Sequence, residues 1–259
     1  SNVKLHMEVH HHSHTSDPDM HRGRKKWTQY FWEFLMLFLA VFCGFLAEYQ
    51  LEHKIEKNRE RQYMRSMITD LNTDLANMSV TLAEKDYMIK LGDSITQTFI
   101  RGNYKQQRAK LYYYARNFST FKNAFFMTDG TLRQLKNSGG LRLIRRSNVV
   151  DSLQAYDNVY QQFIIIQENE VDYLMQYRDM MGKFFDVKVF DGMVKAYPDI
   201  IMPEGNPELF GTDKQQLNDY LLKIHLVKRT KLAELFYLDQ LRSKATNLIL
   251  LIKKEYHLK

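Results

Sequence analysis

Tyr30–Ala47 reads YFWEFLMLFLAVFCGFLA, and no other stretch of the chain approaches its hydrophobicity. A bilayer core about 30 Å thick needs roughly 17–25 mainly apolar residues in a spanning helix, so the run sits at the short end of that range. Trp27 and Tyr49 flank it and Trp32 lies just inside, the places where aromatic rings settle at headgroup level. No proline interrupts it, and its one acid, Glu33, is a turn from the start, within reach of the headgroups. The run lacks a small-residue cleavage site, which argues against a signal peptide. One transmembrane helix is expected over residues 27–50.

Arg22, Arg24, Lys25 and Lys26 precede the span, which by the positive-inside rule puts the N-terminus in the cytoplasm. The bias is modest, because Lys54, Lys57, Arg59 and Arg61 follow it among Glu52, Glu56 and Glu60. On one face Glu33, Leu37, Ala40, Gly44 and Ala47 recur at four- and three-residue steps. Ala40 and Gly44 form a small-xxx-small pair that lets two helix backbones approach, so Ala40, Gly44 and Ala47 are the candidate packing seam. Small residues are also common in membrane helices generally.

The 259 residues carry a net charge of +7, with both signs mixed along the chain in the manner of a solvated helical surface. No nucleic-acid motif is present; acidic lipid is the more suitable partner for the excess charge. The single cysteine, Cys43, falls in the span and excludes an intrachain disulfide. Only four prolines occur, three of them between Pro198 and Pro207, which leaves the stretch before them free for long helices.

Residues 1–26 form a His-rich, basic tail without apolar periodicity, expected to be disordered. Beyond the span, Met64, Ile68, Leu71, Leu75, Met78, Leu82 and Ile89 follow a heptad-like stripe. Leu71, Leu75, Met78 and Leu82 are its candidate interface, serving either a neighbouring subunit or the domain's own core. With Gly92 as a stop or bend, span and stalk would form one helix of about 65 residues, about 100 Å at 1.5 Å per residue. A turn at Gly102–Asn103, a helix over 104–118 and an irregular stretch over 121–146 come next. Within that stretch Thr128 or Asp129 would cap a short helix, with Gly139–Gly140 as its stop. Ser147 reads as the next N-cap. From there Val149, Leu153, Tyr156, Tyr160 and Phe163, then Leu174, Tyr177, Met181 and Phe184, mark a central helix to about Phe185. Residues 186–211 are a long loop rich in Pro and Gly. Thr212 or Asp213 caps a final helix with Leu217, Leu221, Ile224, Leu235, Leu238, Ile249 and Ile252 inward. The expected fold is all-α: a single N-terminal transmembrane helix, a long stalk and an antiparallel helical bundle over 51–259.

Two stretches carry a family likeness. KKWTQYFWEFLMLFLAVFCGFLAEYQLEHKIEKNRERQYMRSMITDLNTDL after a His-rich start, and TLRQLKNSGGLRLIRRSNVVDSLQAYD, resemble a group of single-pass inner-membrane proteins of the Bacteroidota known as a domain of unknown function. The resemblance covers roughly the first 160 residues. It implies a cytoplasmic tail, one crossing and a helical periplasmic domain, and it carries no activity or catalytic residue with it.

HExxH, CxxC, GxSxG and GxxxxGK[ST] are all missing, so neither an enzyme nor a cofactor is expected. His225, among Ile224, Leu226 and Val227, reads as structural. Asp129, Asn137–Gly140 and Arg142, Arg145 and Arg146 form one polar niche, for which caps and turns are the favoured account over anion binding. Three functions remain. The first is a membrane-anchored interaction protein, either a homo-oligomer or an accessory subunit. The second is a periplasmic sensor or ligand-binding module. The third is a stator-like or ion-conducting assembly using Glu33, since an intramembrane acid is a functional candidate by default.

Overall fold

The computed structural model describes residues 27–120, 124–196 and 199–258. The His-rich tail and its expected disorder lie outside the described residues, as do 121–123 of the irregular stretch and 197–198 of the long loop. The chain divides into two units, residues 1–55 and 56–259. In the first, the described residues all belong to helix α1, Trp27–Ile100. Every side chain from Trp27 to Ile55 is exposed except half-buried Leu35.

In the second unit α1 enters a bundle with α4, Ser147–Met181, and α6, Lys214–Tyr256. Each of the three buries a stripe at alternating four- and three-residue steps, which keeps one face toward its neighbours over many turns. On α1 the buried register is Glu60, Met64, Met67, Leu71, Asp74, Met78, Thr81, Lys85, Met88, Gly92, Ile95 and Phe99. Ile68, Leu75, Leu82 and Ile89, which apolarity alone put in the stripe, are only half-buried on its shoulder. Gly92 does not stop the helix. A Cβ there would come within 2.8 Å of the Lys228 side chain and 3.0 Å of the Phe118 ring, so the glycine lets neighbours close in.

Asp74 meets Tyr156 and Lys85 meets Glu170, so α1 and α4 run in the same direction. Glu60 meets Tyr256 and Lys85 meets Glu234, so α6 runs against both. Two parallel neighbours need a return connection, and residues 101–146 provide it. They comprise α2 (Arg108–Phe118), an extended strap over 124–129, α3 (Gly130–Asn137) and a 3-10 turn at Gly140–Leu143. The expected helix over 104–118 is divided into a short 3-10 turn at Tyr104–Gln106 and α2. Asp129 precedes α3 but forms no side-chain cap; it pairs with Arg133 at 3.3 Å. Gly139 takes φ +67° after α3, the left-handed conformation expected at a helix end.

Arg146, not Ser147, is the N-cap of α4, with no side-chain cap bond. Asp213 caps α6 as expected, accepting from the Gln216 amide at 2.9 Å. The connection from α4 to α6 is more ordered than its composition suggests. It holds α5, Val187–Gly192, and a small antiparallel pair, β1 (Val194–Ala196) with β2 (Asp199–Ile200). It is also tied to α2 and the turn before it: the Tyr112 hydroxyl donates to the Glu208 carbonyl at 2.8 Å, and Asn206 Nδ2 donates to the Lys105 carbonyl at 2.8 Å.

Candidate functional site

Two apolar clusters fill the bundle. One joins Met64, Leu71 and Met78 to Leu153, Phe163 and Leu238. The other joins Met88 and Ile95 to Leu174, Tyr177, Tyr220 and Ile224. Between them lies a charged layer of Lys85 from α1, Glu170 from α4 and Lys231 and Glu234 from α6, their side chains at most 3 % exposed. All four occupy buried heptad positions, so the same spacing that aligns the apolar residues brings them to one level.

Glu170 accepts from Lys85 through one carboxylate oxygen and from Lys231 through the other. Burial opposes its charge, but the two ammonium groups outweigh it and hold the carboxyl down at about 2. Glu234 faces the opposite outcome. Burial and the neighbouring Glu170 carboxylate push it up to about 8, against the pull of Lys85, so it carries a proton at neutral pH. Lys85 Nζ lies 2.7 Å from Glu234 Oε2, yet neither Glu234 oxygen accepts a well-directed hydrogen bond. A protonated Glu234 within reach of Glu170 becomes a donor, turning a carboxylate repulsion into a hydrogen bond. Burial and Lys85 lower Lys231, whereas for Lys85 the two glutamates overcome burial and raise it.

Further polar groups extend from this layer. Asp74 accepts from the Thr128 amide at 2.7 Å and the Tyr156 hydroxyl at 2.6 Å. Burial raises the Asp74 carboxyl despite both bonds. Asp70 accepts from the Thr131 amide at 3.1 Å, Glu60 from the Arg145 amide at 2.8 Å and Gln167 from the Phe125 amide at 3.0 Å. These side chains satisfy backbone donors of the strap, of the first turn of α3 and of the stretch before α4, which have no partner within a helix or sheet. On the other side of the charged layer, the buried hydroxyls of Tyr177 and Tyr220 meet at 2.9 Å.

Leu71 and Met78 are buried in the first apolar cluster, and Leu75 and Leu82 pack against it. Leu71 and Met78 therefore belong to the bundle's own core, and Leu75 and Leu82 lie half-buried at its edge. Ala40, Gly44, Ala47 and Glu33 are exposed on the apolar run, and a Cβ added at Gly44 meets nothing within 4 Å. His225 is exposed, not buried. The niche joining Asp129 to the arginines does not form as drawn from sequence. Arg145 turns to Glu56 at 3.5 Å and Arg146 to Glu255 at 3.4 Å.

Apolar spacing passed over the charged layer because Lys and Glu read as surface residues. One signal for it was present. The gap from Phe163 to Leu174 divides into steps of four, three and four, landing on Gln167 and Glu170. Steps of three, four and three from Ile224 land on Val227, Lys231 and Glu234. Chemically the layer can hold a proton on Glu234, whose carboxyl burial and Glu170 raise well above its ordinary value. Among the described residues no three His, Cys, Asp or Glu side chains converge as metal ligands. No family model, curated protein or solved structure matches the chain.

Proposed function

We propose that the protein is a membrane-anchored structural and interaction protein, acting as a homo-oligomer or as an accessory subunit of a larger membrane complex. The observation that carries this reading is in α1. Near its N-terminus an 18-residue window has mean hydropathy 2.0 and is 0 % buried. Among the described residues it is the one helix long and apolar enough to cross a membrane. Residues of that kind left outside a protein's own core are suited to lipid and to other helices. The basic cluster Arg22–Lys26 favours a cytoplasmic N-terminus, and with the likeness to inner-membrane proteins it supports a periplasmic bundle.

The test is the native mass of the full chain in mild detergent, with co-purifying chains identified. A small multiple of 31.0 kDa that falls to one protomer in Gly44→Leu supports self-association through the Ala40/Gly44/Ala47 face. Stable companions support the accessory-subunit form. A plain monomer in the absence of companions overturns the reading.

The charged layer favours a second reading, a protonation-sensitive sensor, because burial and the Glu170 carboxylate push the Glu234 carboxyl up to about 8 in the bundle interior. A change in hydrogen-exchange protection along α6 between pH 6 and 9, abolished by Glu234→Gln, is the result that would favour it. For the stator-like reading, Glu33→Gln must abolish function while leaving assembly intact.

A further inference from the structure

Glu60 is the first buried residue of α1, and its carboxylate accepts from the Arg145 amide and the Tyr256 hydroxyl. Those bonds draw three segments together: α1, the stretch preceding α4, and the end of α6. Above this floor lies a cavity of about 420 Å³, several times the volume of a phosphate group. Its walls carry four permanent cations, Lys57 and Arg61 from α1 and Arg145 and Arg146 ahead of α4. Two acids, Glu60 and Glu255, also line it. Arg146 pairs with Glu255 at 3.4 Å and Arg145 with Glu56 at 3.5 Å, so four cations against two acids leave the lining a positive excess that is least committed at Lys57 and Arg61.

The cations are anchored. Arg61 donates to the His257 carbonyl at 3.3 Å, the residue where α6 ends in a left-handed turn. Arg146 is at once a wall residue and the N-cap of α4, so the positive end of a 35-residue helix lies at the same rim. Lys57 is exposed and has no side-chain partner among the described residues. A second cavity, of about 510 Å³, adjoins this one, sharing Arg61 and His257 and adding Arg65. Arginine forks and a lysine converging from different segments suit the tetrahedral oxygens of a phosphate.

The geometry points to a binding site for a phosphate-bearing anion, with the headgroup of an acidic phospholipid as its source, at the end of the bundle where α1 enters. The phosphate chemistry stands on the cavity alone; the lipid source rests on the membrane-anchor reading. Lys57 and Arg61 follow Ala47 within about four helical turns of the same helix, at 3.6 residues per turn. A chain held in a bilayer by residues 30–47 therefore carries these cations near headgroups by connectivity alone.

The test uses the full chain in neutral detergent micelles doped with equal phosphatidylglycerol and phosphatidylcholine, read by native mass spectrometry and thermal melting. Retention of phosphatidylglycerol over phosphatidylcholine is expected, falling roughly tenfold in Lys57→Gln/Arg146→Gln. The control, Lys25→Gln/Lys26→Gln, removes as much charge on the other side of the span and should leave retention unchanged. If inorganic phosphate alone raises the melting temperature and the double variant loses that rise, the site holds with a soluble source. Should the double variant fail to fold, Lys57→Gln alone carries the test. Equal retention of both lipids with no phosphate response overturns the proposal, as does a control that loses as much as the site variant.

Discussion

Helix α1 obeys opposite rules in its two regions. Across residues 30–47 every apolar side chain is exposed except half-buried Leu35. Across residues 60–99 the stripe turned inward includes Glu60, Asp74, Thr81 and Lys85. A polar group costs little at an exposed position in water and a great deal in an apolar interior unless it is bonded. In the bundle every one of these side chains is bonded: Glu60 and Asp74 to amides and tyrosines, Thr81 to the Asn77 carbonyl, and Lys85 to Glu170, with Glu234 Oε2 2.7 Å away. A residue's polarity therefore reports its surroundings poorly on this helix; what it bonds to decides whether it can be buried.

The largest expected effect is at Glu170. Glu170→Gln takes the shared carboxylate from Lys85 and Lys231 and leaves two ammonium groups in the interior. A loss of about 3–5 kcal/mol is expected from denaturant titration of the full chain in detergent. A loss below about 1 kcal/mol would mean that water reaches the layer, and the contrast between the two regions of α1 would weaken.

Glu234 sharpens the point through pH. Its folded value of about 8 exceeds the ordinary 4.5, so between those values the native state holds a proton the unfolded chain has lost. Stability therefore falls as pH rises through that window, by at most about 1.4 kcal/mol per pH unit. Glu170, held at about 2, contributes stability above 4.5 that is lost as pH falls toward 2. Together they place the layer's optimum near pH 4.5–5. Glu234→Gln should cost little at pH 6 and flatten the decline toward pH 8; an unchanged slope would assign that decline to other groups.

Tyr156→Phe removes the hydroxyl that donates to buried Asp74 and should cost about 1.5–3 kcal/mol, the range for a hydrogen bond to a charged group. Gly92→Leu crowds Lys228 and Phe118 and should cost about 1–3 kcal/mol, measured as a lower melting temperature. Smallest of all is Gly44→Leu. With open space around that position within the chain, unfolding of the bundle should be unaffected, and any change must appear in the native mass instead.

Much of this fold was legible in the residues themselves. Val149, Leu153 and Tyr156 on α4, and Leu238 and Ile252 on α6, were read as inward and are buried. The first region of α1 needed no tertiary partner to be recognised, because eighteen neighbouring residues supply its signal. The charged layer was not legible in that way. Lys85, Glu170, Lys231 and Glu234 lie on three helices far apart in sequence, and each alone resembles a solvated side chain. The second heptad position of α1 was misread for the same reason: Ile68 and Leu75 are more apolar than Met67 and Asp74, yet they lie on the shoulder.

Local periodicity and capping were enough for the all-α class, the exposed apolar run, a cap of α6 at Thr212 or Asp213 and most apolar core positions. The parallel course of α1 and α4, the ties of residues 124–145 to Asp74, Asp70 and Glu60, and the gathering of Lys85, Glu170, Lys231 and Glu234 at one buried level came from contacts between elements. The physical reason is that an ionised side chain becomes tolerable in a core only when its counter-charge arrives from another element.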